Sequence, residues 1–101
     1  MTDPVVLQGV GGSITVSPGA LNRLVVRAAE TVDGASVRRP KRSVEVAHQE
    51  GRASVSLELT VRYGEVAAEL ALAVQERVAE AVFATCGLTV EQVDVSVEEI
   101  T

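Results

Sequence analysis

Few side chains in this sequence could do chemistry. His48 is the one histidine and Cys86 the one cysteine. A metal centre or a nucleophile–base pair would need further partners, and these two are the only soft ligands the chain offers. His48 falls in phase with Val44 and Val46, so it reads as a partly buried residue at a strand end. Cys86 stands beside Gly87 with no second cysteine and no basic neighbour in sequence to stabilise a thiolate, so it reads as a small core residue. Glu58, with Asp94 or Glu45, could line one face of a sheet. General acid–base work needs such a carboxylate in a dry pocket with a shifted pKa, and a wet sheet face is the wrong place. Gly9, Gly11 and Gly12 have the composition of a phosphate loop, but they precede a strand. A phosphate cradle follows a strand and opens a helix. The expectation is no catalytic residue, no metal ligand and no cofactor.

The sharpest charge feature is the run Arg38, Arg39, Lys41 and Arg42 around Pro40, four of the nine basic residues within five positions. It is the candidate partner-docking patch, suited to an acidic protein surface or a phosphate. The competing reading is a plainly solvated loop.

Composition narrows the function classes. The chain has 101 residues, enough for one domain with a modest core. It carries fourteen acidic against nine basic residues, a net charge of −5, and its aromatics are one Phe and one Tyr. Such a field repels nucleic acid and anionic lipid, and base-stacking platforms need aromatics. An unpaired cysteine fits a reducing compartment. No apolar run approaches the ~18 residues of a membrane span, and the acidic N-terminus does not resemble a signal peptide. A cytoplasmic protein without direct membrane insertion is expected.

The elements that must position these residues are organised around residues 53–63, ASVSLELTVRY. Apolar and polar residues alternate without a break, the pattern of a strand with one face buried and one wet. Residues 65–86 follow with Val66, Leu70, Val74, Val78 and Val82 at i+4 spacing, a helix of about 33 Å at 1.5 Å per residue, closed by Gly87. Ser17 and Pro18 suit the N-cap and first position of an earlier helix bearing Leu21, Leu24, Val25, Ala28, Ala29 and Val32 on one side, with Gly34 as its stop. Residues 13–16, 44–48 and 93–97 are further strands. Residues 35–42 read as a loop, residues 49–52 as a hairpin turn, and Thr89 with Gln92 as a capping box for one short turn. The predicted fold is α+β: a two-layer sandwich in β-α-β-β-α-β order, with a three- to four-stranded sheet and two helices on one face. Residues 1–11 read as a flexible lead-in and residues 12–101 as a single domain. Strand order stays open between a ferredoxin-like and a KH-like arrangement.

Several marks together resemble a known family: Gly12-Ser13-Ile14-Thr15-Val16 before the first helix, Ala28-Ala29 leading to Val32-Asp33-Gly34-Ala35, Tyr63-Gly64 ending the long strand, Val74-Gln75 followed by Val78 and Val82, and a tail from Gly87-Leu88-Thr89-Val90 through Val93-Asp94-Val95-Ser96-Val97. The chain is similar in these to the alkaline shock proteins, the envelope stress response family of bacteria, over about residues 12–100. Ala35 stands where that family usually has Val, and Asp94 where it usually has Asn. The resemblance implies a cytoplasmic, non-enzymatic interaction or scaffold protein that self-associates or is held near the membrane by a membrane-anchored partner. The alternative is a KH-like nucleic-acid-binding module, against which stand the acidic balance and the lack of a G-x-x-G loop between helices.

Overall fold

The computed structural model describes residues 2–101. Its elements are β1 (Val5–Gly9), β2 (Gly12–Val16), α1 (Pro18–Ala29), β3 (Ala35–Val37), β4 (Glu45–Gln49), β5 (Arg52–Val61), α2 (Ala67–Cys86) and β6 (Thr89–Ile100).

The alternation along β5 has the predicted consequence. Ala53, Val55, Leu57, Leu59 and Val61 are all buried, while Ser54, Ser56, Glu58 and Thr60 face the other way. β5 is the centre of a mixed sheet. β6 runs parallel to it along its whole length, and β4 and β3 pair antiparallel with its first and second halves. Helix α2 is the crossover that a parallel β5–β6 pair requires. Its inward stripe is Val74, Val78, Val82 and Cys86, each at most 4% exposed. α1 adds Leu21, Val25, Ala28 and Ala29 to the same core. Complete burial of each of the larger of these side chains contributes roughly 1.5–3 kcal/mol. The two-layer α+β fold is therefore as expected.

Local signals explain the ends of the elements. Ser17 Oγ accepts the Ala20 N–H at 3.2 Å, and Pro18 opens α1. Gly87 takes φ 71° and closes α2 with its N–H on the Phe83 carbonyl. The β4–β5 turn, Glu50-Gly51, has φ of 52° and 78°, both positive. That is the mirror-image geometry that tight hairpins favour.

Four readings are corrected. Residues 13–16 do not join the main sheet. They form β2, which pairs with β1 in a separate two-stranded hairpin. Neither of the two strand orders left open describes the main sheet, whose first strand lies elsewhere. Within the lead-in, Val5–Gly9 is a strand, because Val5 and Leu7 alternate with Val6 and Gln8 opposite a similar partner; Met1 lies outside the described residues. Ala35–Val37, assigned to a loop, is the short strand β3, with Ala35 and Val37 inward against Val61 and Leu59. Finally, Thr89 and Gln92 cap no helical turn. β6 starts at Thr89, whose N–H donates to Gly51 O at 2.8 Å. Between Thr89 and Gln92 the strand continues through a register shift that inserts Glu91 as an extra residue, and a second shift inserts Glu98 further along.

Candidate interaction surface

Residues 38–44 interrupt one sheet edge. β3 and β4 both pair with β5, and the basic run is an excursion between them. The loop is tightly held. Arg38 N–H donates to Glu58 O at 2.8 Å, and the Arg42 and Ser43 N–H groups both reach Arg39 O, at 2.8 and 2.9 Å. Ser43 Oγ donates to Arg38 O at 2.5 Å. Arg39 takes φ 47°, a left-handed value unusual for a residue with a Cβ.

The four basic residues divide into two pairs. Arg38 Nη1 and Arg39 Nη2 converge on Glu58 Oε1 at 3.3 and 3.0 Å. Glu58 points from the middle of the polar face of β5, so this carboxylate braces the loop against the sheet. Hydrogen bonding from Arg39, with the charges of both arginines, holds the Glu58 carboxyl below the usual carboxylate range. Lys41 and Arg42 remain exposed at the loop's tip. Glu58 is thus an ionised brace, the reverse of a carboxyl tuned upward for acid catalysis. Asp94 and Glu45 flank Ser56 on the same open face.

Cys86 is 4% exposed, and burial pushes its thiol up. His48 lies half-buried on β4 with Nε2 3.0 Å from Asp3 O. A carbonyl accepts, so this contact needs the proton on Nε2. His48 lines an open depression of about 360 Å³ with Gln49, Glu50, Arg52 and Glu91, and Cys86 is not among its walls. Among the described residues, no three His, Cys, Asp or Glu side chains are placed to hold a metal ion.

A second charge cluster escaped the sequence reading. Arg62 Nη2 contacts Asp33 Oδ2 at 3.1 Å and Glu65 Oε2 at 2.7 Å. It ties the turn after α1 to the turn before α2, around Gly34. A Cβ on Gly34 would meet Glu65 Cγ at 3.2 Å and Leu70 Cδ1 at 3.3 Å, and its φ is 93°. The signal was present in Asp33-Gly34 and Arg62-Tyr63-Gly64-Glu65, but only the β3–β5 pairing brings them together.

The model of the alkaline shock protein family, described by a cell envelope-related function, matches residues 35–101, which is 67 of 101 residues. The chain belongs to this family. The match covers the main sheet and α2. The earlier marks at residues 12–16 and 28–34 lie before it. A solved structure of a double variant of MamM-CTD is also similar, with a TM-score of 0.58 and 25% identity over 80% of this chain and 92% of that one. No curated protein matches.

Several family marks now have physical reasons. Gln75 Nε2 donates to Val93 O at 2.9 Å, pinning α2 to β6. Gly64 takes φ 98° at the end of the long strand. Ala35 faces the core, whereas Asp94 lies opposite Ser56 on the open sheet face. Among the described residues, no helix is long and apolar enough to cross a membrane.

Proposed function

We infer that this alkaline shock protein family member is a non-enzymatic, cytoplasmic interaction module related to the cell envelope. It acts by binding a second copy of itself or a membrane-anchored protein. The observation that carries the reading is the braced loop at residues 38–44. A loop held by four backbone and hydroxyl hydrogen bonds and a carboxylate loses little further conformational freedom when something docks on it. It presents Lys41 and Arg42 outward, and Arg38 and Arg39 beneath them, on a protein that is otherwise acidic. An acidic segment of a protein partner is the complementary surface. Family membership supplies the envelope context. The buried thiol and the ionised Glu58 give catalysis no support.

The test is fractionation of cells after crosslinking, comparing the natural chain with K41E/R42E. The variant should lose the membrane-associated, crosslinked fraction while keeping its melting temperature. A variant that fractionates like the parent removes the loop from the docking surface. If the parent itself is recovered fully soluble and uncrosslinked under envelope stress, the interaction reading fails altogether.

A further inference from the structure

The β1–β2 hairpin lies outside the matched segment and is built unlike the rest of the chain. From residue 4 to residue 22 no side chain is charged, in a protein of net charge −5. Val5 pairs with Val16 and Leu7 with Ile14, so these four share one face. Val5 is 3% exposed and belongs to the core, and Leu7 and Val16 pack against it. Further along, Ile14 is 54% exposed, and Val10 in the turn is fully exposed. The apolar face therefore begins inside the molecule and runs out into solvent.

β2 is the more open of the two strands: Gly12, Ser13, Ile14 and Thr15 are all exposed. Among the described residues it pairs only with β1. Sheet edges are normally blunted by charge, proline or a bulge. β2 has no charged residue and no proline, and its register with β1 is unbroken. Two strands alone are marginal in water, while three or more with an apolar face are stable.

We propose that β2 is a self-pairing edge. Two copies align Gly12–Val16 antiparallel about a two-fold axis at Ile14, giving one four-stranded sheet. The register follows from the hairpin itself. Gly9 and Gly12 close a two-residue turn and so form a hydrogen-bonded pair. Alternation then turns the N–H and C=O groups of Gly12, Ile14 and Val16 toward β1 and those of Ser13 and Thr15 outward. Centring the axis on Ile14 sets Ser13 opposite the second copy's Thr15, so both outward-facing sets are satisfied at once. Directly opposed residues lie on the same face, so the two half-exposed apolar faces merge, with Ile14 against its own counterpart.

Charge selects a second copy as the occupant. Two bodies of −5 repel wherever their acids meet, and the uncharged arm is where they can approach. A lipid surface fits less well, because the arm has neither aromatic anchors nor flanking lysines or arginines. This arrangement rests on the interaction reading above and supplies it with a strand and a partner.

The experiment is sedimentation analysis of the full purified chain over a wide concentration range at physiological salt. The parent should be a dimer. I14K places two cations face to face, and T15P removes an outward N–H while sparing the bonds to β1. Each should weaken the dimer by roughly a hundredfold or more in Kd, with the melting temperature of the main domain kept. Q8P, which removes an outward N–H from β1 instead, should leave the dimer intact. A monomeric parent, a dimer indifferent to both β2 variants, or a dimer broken equally by Q8P would overturn the proposal. Because the assay contains no partner protein, a monomer that still fractionates through Lys41 and Arg42 would defeat only the β2 pairing.

Discussion

β2 and β6 both end a sheet, and among the described residues each has one neighbour. They are defended in opposite ways. β6 is the longer, twelve residues against five, and would be the greater hazard if length decided. Yet β6 carries Glu91, Asp94, Glu98 and Glu99, and two of these sit where the register shifts. Charge and irregularity are the standard devices against unwanted pairing. β2 has neither. Availability of an edge is thus set by what interrupts it. In this chain the interrupted edge lies inside the matched segment, and the open edge lies before it.

The largest test of the contrast is in the body that carries both edges. Leu59 is fully buried at the centre of β5. L59A should cost about 3 kcal/mol in urea denaturation, through lost burial and a residual cavity. I14A, at a half-exposed site on the arm, should cost well under about 1 kcal/mol. Comparable losses would mean that Ile14, at the outer part of the arm, is packed as tightly as the centre of β5.

The contrast can also be reversed. E91V/E98V removes two of the charges on β6 without altering its inward face. The expected result is concentration-dependent assembly beyond the dimer, seen by light scattering and suppressed when the glutamates are restored. An unchanged size distribution would show that the bulges alone protect β6.

Q75A should have a smaller effect, about 1 kcal/mol, because it leaves the Val93 carbonyl without its side-chain donor. Hydrogen exchange should quicken along β6 and stay unchanged in β2. Equal quickening in both strands would contradict the separation of the two sheets.

Much of this was legible in the sequence. The unbroken alternation of residues 53–61 fixes which face of β5 is buried, and the i+4 valines of α2 can satisfy themselves only against that face. Ser17-Pro18 and Gly87 mark helix ends by local chemistry alone. What stayed hidden depends on pairing. Val5–Gly9 is glycine-punctuated and too short to announce itself, and it is a strand because residues 12–16 lie opposite. Ala35–Val37 is three residues before a basic run, and only the second half of β5 makes it a strand. The candidate patch was visible as Arg38, Arg39, Lys41 and Arg42, but its division was not. Nothing local indicates that Glu58, some twenty residues away, takes up two of the four.

The smallest expected effect concerns that division and depends on pH. The Glu58 carboxyl is held low by Arg39 and Arg38, and the Asp33 carboxyl by Arg62. A carboxylate whose folded pKa lies below its unfolded value adds stability above the unfolded value and loses it as pH falls through the folded one. Both groups should therefore favour the fold at neutral pH, and their help should fade below about pH 4, the ordinary carboxylate range. Asp33 is exposed and Glu58 only partly covered, so the gain is modest and screened by salt. E58Q should flatten the acid side of a melting-temperature profile slightly at low ionic strength, and the difference should vanish in high salt. It should also release Arg38 and Arg39, leaving four unneutralised cations on the loop, so binding of an acidic partner peptide should strengthen as folding stability falls slightly. Parallel losses in both would make Glu58 part of the docking surface itself, and the loop would then be a mixed-charge site instead of a basic one braced from below.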